Sequence, residues 1–509
     1  MQAQIALSPD RRVGDVPRRL FGGFIEHAGR AIYTGIYEPG HPTADEHGFR
    51  QDVIELVRKL GVSTIRYPGG NFVSGFRWED SVGPVKSRPR RLDLAWHSTE
   101  TNEVGLHEFA TWLDVVGSEL MLAVNLGTRG MEEALDLLEY ANIPSGTRLS
   151  DLRAEHGRRA PFDVAMWCLG NEMDGPWQVG HRSADEYGRL AARTAAAMRR
   201  LDARVELVAC GSSNSGMPTF GAWEQTVLEH GYDVVDHISC HAYYCFDGDL
   251  PDFLASSVDM DAFITTVAET ADRVGAARRS EKQVQISFDE WNVWDAGRYH
   301  REDERTAIDD WPVAPSILEE TYTVADAVVV GSLLICLLRH VDRVRSASLA
   351  QLVNVIAPIM TEPDGPAWTQ ATFFPFSITS RLARGDVLAP DIRCPSVVTS
   401  RFGEVPVVDS VATHDPATGE AALFIVNRNP DGPTSVEFDL RALDVDRVGA
   451  PIGVWDDDVF ASNTRTEPTR VEPRRLETVE LNDGIVRAEL PPASWVAIPL
   501  MTRRQTLKR

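Results

Sequence analysis

The chain is predicted to be an α/β protein: a (β/α)8 TIM barrel followed by an antiparallel, jelly-roll-like β-sandwich. Three observations predict this. Between about residues 20 and 380, eight short apolar runs alternate with longer amphipathic segments, the pattern of repeated βα units. An open doubly wound sheet alternates in the same way, but no Gly-rich phosphate loop follows the first run. After roughly residue 385 the texture changes to short alternating runs separated by Asp, Asn, Pro and Gly, as in a sandwich.

The predicted barrel strands are 21–25, 63–67, 120–125, 165–171, 206–211, 237–241, 284–289 and 347–353. Between them, segments such as 48–60, 184–201 and 319–339 carry apolar residues at helical spacing. The most apolar stretch, 327–338, is roughly half as long as a bilayer span and reads as a buried helix. The sandwich runs are 397–399, 405–408, 421–426, 435–440, 471–472, 478–481, 485–489 and 494–499, and residues 3–7 offer one more strand. The expected domains are therefore 18–384, a catalytic barrel, and 385–501, a sandwich to which 1–17 is a candidate addition. A length of 509 residues accommodates both.

Composition narrows the function. Hydrophobic residues make up 43% and charged residues 25%, so a large buried core is expected. The formal charge of −24 disfavours nucleic acid and anionic membranes and suits a neutral ligand. Arg503, Arg504, Lys508 and Arg509 read as a frayed basic end. Cys168, Cys210, Cys240, Cys245, Cys336 and Cys394 form no CxxC pair, and the first sixteen residues hold no apolar signal core. Both features point to a cytoplasmic protein with reduced thiols.

Active sites of such barrels lie at the carboxyl ends of the strands. Those ends carry Glu26-His27, Arg66 to Asn71, Asn125, Asn171-Glu172, His241-Ala242-Tyr243, Asp289-Glu290 and Gln351. Two carboxylates on different strands, Glu172 and Glu290, are what glycoside hydrolysis needs: one protonated to release the leaving oxygen, one ionised to attack the anomeric carbon. Asn171 is placed to hydrogen-bond a sugar 2-hydroxyl. Gly69-Gly70 lets the backbone before Asn71 lie close to a ligand. Trp96 and Trp294, near barrel loops, are candidates for a platform under the leaving-group sugar. His237 and His241, four apart on one strand, suggest a metal, but no third ligand stands at metal spacing, so no metal is expected. The charged loop 297–311 reads either as a lid or as a solvated surface.

Several motifs then carry a resemblance: Phe24-Ile25-Glu26-His27, Arg66-Tyr67-Pro68-Gly69-Gly70-Asn71-Phe72, Arg91 to Trp96 with Glu100-Thr101-Asn102, Gly170 to Trp177, Phe288 to Trp294, and Gln351 to Pro358. In this order and spacing they resemble family 51 glycoside hydrolases, the α-L-arabinofuranosidases. The resemblance spans the barrel and is weaker past residue 390. It implies a retaining, exo-acting enzyme without a cofactor, with Glu172 as acid/base and Glu290 as nucleophile. It further implies Glu26, Asn71, Asn171, Tyr243 and Gln351 as groups that grip the arabinofuranosyl ring of an oligosaccharide derived from arabinan or arabinoxylan. A homo-oligomer, a hexamer, is implied too. An endo-glucanase or β-xylosidase on the same scaffold, an inactive carbohydrate-binding protein and a metal-dependent hydrolase stand as alternatives.

Overall fold

In the computed structural model, which describes residues 1–503, eight parallel strands close into a barrel in chain order. They are Gly22–Phe24, Thr64–Tyr67, Glu119–Ala123, Met166–Leu169, Glu206–Ala209, His237–Tyr244, Gln285–Val293 and Val344–Ala350. The last pairs with the first, Ser348 opposite Gly22, and shuts the ring. The predicted barrel is present, and each predicted run overlaps one strand. Met166–Leu169 is buried at all four positions, as a parallel strand covered on both faces must be.

The main helices following the strands are Gln51–Leu60, Leu106–Val116, Met131–Asn142, Ala184–Leu201, Ala222–Gly231, Ser257–Arg278, Val324–Arg339 and Phe373–Leu382. Ala184–Leu201 matches the predicted range because Ser183 and Glu186 form a capping box at its start. Val324–Arg339 starts five residues later than expected, where Thr323 and Asp326 cap it in the same way. Val324 to Leu338 are all buried. A helix apolar all round is one covered on all sides, and this one lies between the barrel and the second sheet system, to which Arg339 is tied by an ion pair with Asp409.

Beyond the barrel two sheets pack face to face over a separate core that includes Leu423, Ile425, Phe438, Val486 and Ile498. One contains Arg12–Asp15, Asp386–Leu388, Val408–His414, Glu420–Asn427 and Ser494–Thr502; the other contains Asp391–Arg393, Gln2–Ala6, Thr434–Asp439, Ile485–Leu490 and Val479–Asn482. Gln2–Ala6 runs parallel to Thr434–Asp439, an exception within the antiparallel set. The run 471–472 is not a strand: Val471 is buried in a loop, and the edge strand is Arg474–Arg475. The strands Arg12–Asp15, Asp386–Leu388, Asp391–Arg393, Val445–Val448 and Ile452–Val454 were not expected; most are too short and too polar to show an apolar period. A two-stranded hairpin, Ser396–Thr399 with Gly403–Pro406, stands apart from both sheets. Of the basic end, Arg503 donates its backbone N–H to Asp444, and residues from 504 onward lie outside the described residues. Among the described residues, no helix is long and apolar enough to cross a membrane.

Two departures from the predicted barrel position the site. Strands six and seven run on to Tyr244 and Val293, so Glu290 sits within strand seven, directly opposite His241, and not after the strand. Both strands are also irregular, with register shifts between Ser239 and His241 and between Phe288 and Trp291. A bulge breaks the alternation of side chains. That is why adjacent residues Asp289 and Glu290 both reach the barrel's interior network.

Candidate active site

The site is organised around a buried cation. Arg66, in the second barrel strand, is fully buried. Its guanidinium donates to Glu290 Oε1 at 2.7 Å and to Asn171 Oδ1 at 2.7 Å, and lies 3.9 Å from Asp289. An arginine between Ile65 and Tyr67 in a buried strand must find carboxylates, because an isolated buried charge is too costly. That cost was a readable signal, and Arg66 was not singled out from it.

A second cation joins the two candidate catalytic carboxylates. His241 Nδ1 lies 2.9 Å from Glu172 Oε1 and 3.5 Å from Glu290 Oε2, while Nε2 lies 3.0 Å from Asp289 Oδ1. Burial pushes this imidazole's pKa down, but the Glu290 charge and the bonds to Asp289 and Glu172 outweigh burial and raise it to about 10. It is therefore a double donor at neutral pH. One oxygen each from Glu172 and Glu290 and a His241 nitrogen all lie within 4.8 Å of one another. Sequence spacing offered no third ligand beside His237 and His241; the fold brings two carboxylates to His241 from other strands. His237 is not among them, and its Nδ1 has no partner.

Glu172 sits on the turn out of strand four with φ +45°, a left-handed conformation costing about 1–3 kcal/mol for a residue with a side chain. Its Oε2 accepts from the indole N–H of Trp177 at 2.7 Å. Burial raises its pKa and the Glu290 charge adds to this, against the lowering by His241. Asp289, one residue before Glu290, is held below the usual range: burial opposes this, and the Arg66 and His241 charges overcome it. Glu290 Oε2 accepts from Tyr243 Oη at 2.7 Å, the partner expected from the sequence.

The remaining expected residues gather round this pair. Gln351 accepts the Glu26 backbone N–H at 3.0 Å and donates to Glu26 Oε2 at 3.2 Å, and Glu26 Oε1 accepts the Phe72 N–H at 2.8 Å. Burial, partly offset by the Phe72 N–H, pushes Glu26 up to about 8. Asn71 and Asn171 are linked, Asn171 Nδ2 to Asn71 Oδ1 at 3.3 Å. Glu26, Asn71, Glu172, Tyr243, Glu290 and Gln351 line one cavity of about 1030 Å³, and Asn171 is bonded to Asn71 beside it. Asn125 does not join them: its Oδ1 accepts from Gly127 and Thr128 and holds its own loop.

The glycine pair has a sharper role than expected. A Cβ on Gly69 would come 2.9 Å from Glu26 Cγ, and one on Gly70 would come 2.9 Å from Glu290 Oε1. The pair makes room for the protein's own carboxylates as much as for a ligand. Gly70→Ala is therefore expected to lower kcat/KM by about 100-fold through displacement of Glu290 by a fraction of an ångström. Its melting temperature should stay near that of the native protein; a variant of native activity would show that Glu290 has slack.

On the outer side, Trp96 is buried and Trp294 half-buried, and Trp294 meets Tyr243 edge-to-face at 5.1 Å. Both line the cavity, yet the indole most open to solvent is Trp177, 49% exposed, which in the sequence stands out only as the end of the Gly170 to Trp177 motif. The 297–311 loop is neither free nor merely solvated. Tyr299, His300 and Glu304 line the cavity, and Trp311 stacks on His97 at 3.7 Å.

Glu172 and Glu290 each fall within a stretch that matches a known family. Residues 56–250 match the alpha-L-arabinofuranosidase 1 domain and residues 289–494 the alpha-L-arabinofuranosidase C-terminal domain. The chain is 57% identical over 499 residues to an intracellular exo-alpha-(1->5)-L-arabinofuranosidase of Streptomyces lividans, covering 97% of this chain and 75% of that one. It is 55% identical over 508 residues to an exo-alpha-(1->6)-L-arabinofuranosidase of Bifidobacterium longum, covering 98% and 97%. Its structure superposes on a family 51 alpha-L-arabinofuranosidase from Bifidobacterium longum with a TM-score of 0.94 at 50% identity, covering 98% of this chain and 99% of the other. The match runs through the whole barrel and into the sandwich, and the chain belongs to the family 51 glycoside hydrolases, the α-L-arabinofuranosidases.

Proposed function

We propose that the protein removes terminal α-L-arabinofuranosyl residues from oligosaccharides by double displacement, with Glu172 as acid/base and Glu290 as nucleophile. The observation that carries this reading is the approach of the two carboxylates to within 4.8 Å across the barrel mouth. A retaining glycosidase needs about 5 Å, whereas an inverting one leaves room for a water at roughly 6.5–9.5 Å. Glu172 gives its proton to the leaving oxygen as a Glu290 oxygen bonds to the anomeric carbon and the glycosidic bond breaks. Glu172 then takes a proton from water, whose oxygen displaces Glu290. Once Glu290 is esterified its charge is gone, and with it one of the two influences that raise Glu172; the Glu172 pKa falls, and the group ionises to act as the base. Arg66 and Tyr243 hold the nucleophile by its two oxygens, so its attack direction is fixed before substrate arrives.

The ring of Glu26, Asn71, Asn171, Tyr243 and Gln351 is the proposed grip on the sugar, with Trp96 and Trp294 on the leaving-group side. The domains assigned are 18–384 for catalysis and 385–501 with 1–17 for the sandwich, the site is cytoplasmic, and the working form is a hexamer, to be checked by light scattering. The endo-glucanase, β-xylosidase and inactive binding-protein readings find no support among the relatives. The reading is tested by following hydrolysis of an aryl α-L-arabinofuranoside by NMR. The first product should be the α-anomer of arabinose; a β-anomer as first product would sink the retaining mechanism.

A further inference from the structure

We propose that Asp289 is a positioning residue that acts through His241. It holds the far ring nitrogen of that imidazole protonated, so that the near nitrogen presents a cation to Glu172 and Glu290 in both halves of the reaction. The proposal rests on the double displacement argued above. Asp289 is 1% exposed and is no part of the cavity wall. Its Oδ1 lies 3.0 Å from His241 Nε2. Its Oδ2 accepts the Cys168 thiol at 3.6 Å and lies 3.9 Å from Arg66 Nε. On the other side of the same ring, Nδ1 lies 2.9 Å from Glu172 Oε1 and 3.5 Å from Glu290 Oε2. One imidazole thus stands between a carboxylate that does not react and the two that do.

Charge balance shows why the third carboxylate is needed. Before reaction Glu172 is protonated, and Arg66 and His241 stand against Glu290 and Asp289. In the glycosyl-enzyme Glu290 is an ester and Glu172 ionises, so the same two cations stand against Glu172 and Asp289. A negative charge moves from one glutamate to the other and back, and His241 Nδ1 is in reach of both ends of that exchange. Burial works against the His241 proton, and the Glu290 charge is the largest influence that holds it. Esterification removes that influence. What stays constant is the Asp289 bond to Nε2, because burial of Asp289 is outweighed by Arg66 and His241 and the group remains ionised. A buried imidazolium without such a partner gives up its proton.

The other titratable groups that face this cluster add no charge to the balance. Burial raises the thiols of Cys168, Cys210 and Cys240 and lowers the imidazole of His237, which leaves all four neutral. Burial likewise raises the Tyr243 phenol, and it pushes Glu26 up to about 8, so that group is mostly protonated at neutral pH. Asp289 is therefore the one fixed anion of the cluster among the described residues, and His241 is the group through which it reaches the reacting pair.

The test compares the native enzyme with Asp289→Asn and Asp289→Glu on an aryl arabinofuranoside whose activated phenol leaves the second step to set kcat. Asp289→Asn lowers the His241 pKa: below the new value the imidazole is charged as in the native enzyme, and above it the charge is lost. Its kcat should therefore fall short of native by about 100-fold at about pH 8 and by under about tenfold at about pH 5, with KM not raised. Asp289→Glu, which keeps the charge, should show a deficit that does not vary with pH. A second measurement needs no variant at position 289. The native glycosyl-enzyme is trapped with a 2-deoxy-2-fluoro-arabinofuranosyl donor, and ¹⁵N-histidine NMR follows His241, its signal assigned by its loss in His241→Gln. The ring should keep both protons from about pH 6 to 8. A deficit in Asp289→Asn that is the same at every pH, a loss in KM alone, or a trapped His241 that gives up its proton in that range would overturn the proposal. If Asp289→Asn does not fold, the trapped native enzyme decides alone. A donor that leaves no adduct on Glu290 by peptide mass spectrometry would instead overturn the activity proposed above.

Discussion

Glu290→Ala should lose on the order of 10⁵- to 10⁶-fold in kcat, the scale set by deleting a nucleophile that forms a covalent intermediate. At 1.36 kcal/mol per tenfold this is about 7–8 kcal/mol of barrier. The loss cannot be shared by neighbours, because the Arg66 and Tyr243 bonds aim one side chain, and among the described residues no other carboxylate is held by both. Folding must be checked separately. Breaking a buried ion pair costs roughly 3–5 kcal/mol when the partner charge is stranded, but Arg66 keeps its bond to Asn171 and its proximity to Asp289, so the variant should sit at the low end. Glu290→Gln, which preserves shape, should be as inactive and more stable. Added azide should restore part of the turnover of Glu290→Ala and give arabinosyl azide of inverted configuration, since the small anion fills the space of the missing carboxylate. More than about 1% residual activity without azide would contradict the assignment, given the magnitude above.

The parts of this site that sequence made legible are those set by strand ends. The eight apolar runs placed Glu26, Asn71, Glu172, Tyr243 and Gln351 at one rim, and they line one cavity. What escaped was set by contacts between strands. Arg66 links strands two, four and seven, and His241 links four, six and seven; neither relation is written in local spacing. The alternation rule places Asp289 and Glu290 on opposite faces, and only the register shift near Trp291 brings both inward. Metal spacing failed at His241 for the same reason, since its neighbours in space are 69 and 49 residues away in sequence. In the sandwich, strands of three or four residues such as Asp391–Arg393 are defined by their partners and not by any apolar period of their own.

Glu172→Ala should behave differently on different leaving groups, and that difference identifies an acid/base. On oligosaccharides, whose leaving alkoxide needs a proton, kcat/KM should fall by about 10³–10⁴-fold. On an aryl glycoside with an activated phenol, kcat/KM should change little, because the first step no longer needs help. Its kcat should still fall, since water lacks a base in the second step; the glycosyl-enzyme then accumulates and KM falls with kcat. Azide, which needs no base, should speed this variant and give arabinosyl azide of retained configuration, the opposite outcome to Glu290→Ala. The pH profile follows from the direction of the Glu172 shift. Only the protonated acid is competent, and burial and then the Glu290 charge raise its pKa against the pull of His241. The alkaline limb of kcat/KM on oligosaccharides should therefore lie above the ordinary carboxylate range, with activity present below it and lost as pH rises through it. In Glu172→Ala that limb should vanish. His241, at about 10, stays charged throughout the neutral range and does not set it. Equal losses on both substrate types, with the alkaline limb intact, would move the acid role away from Glu172.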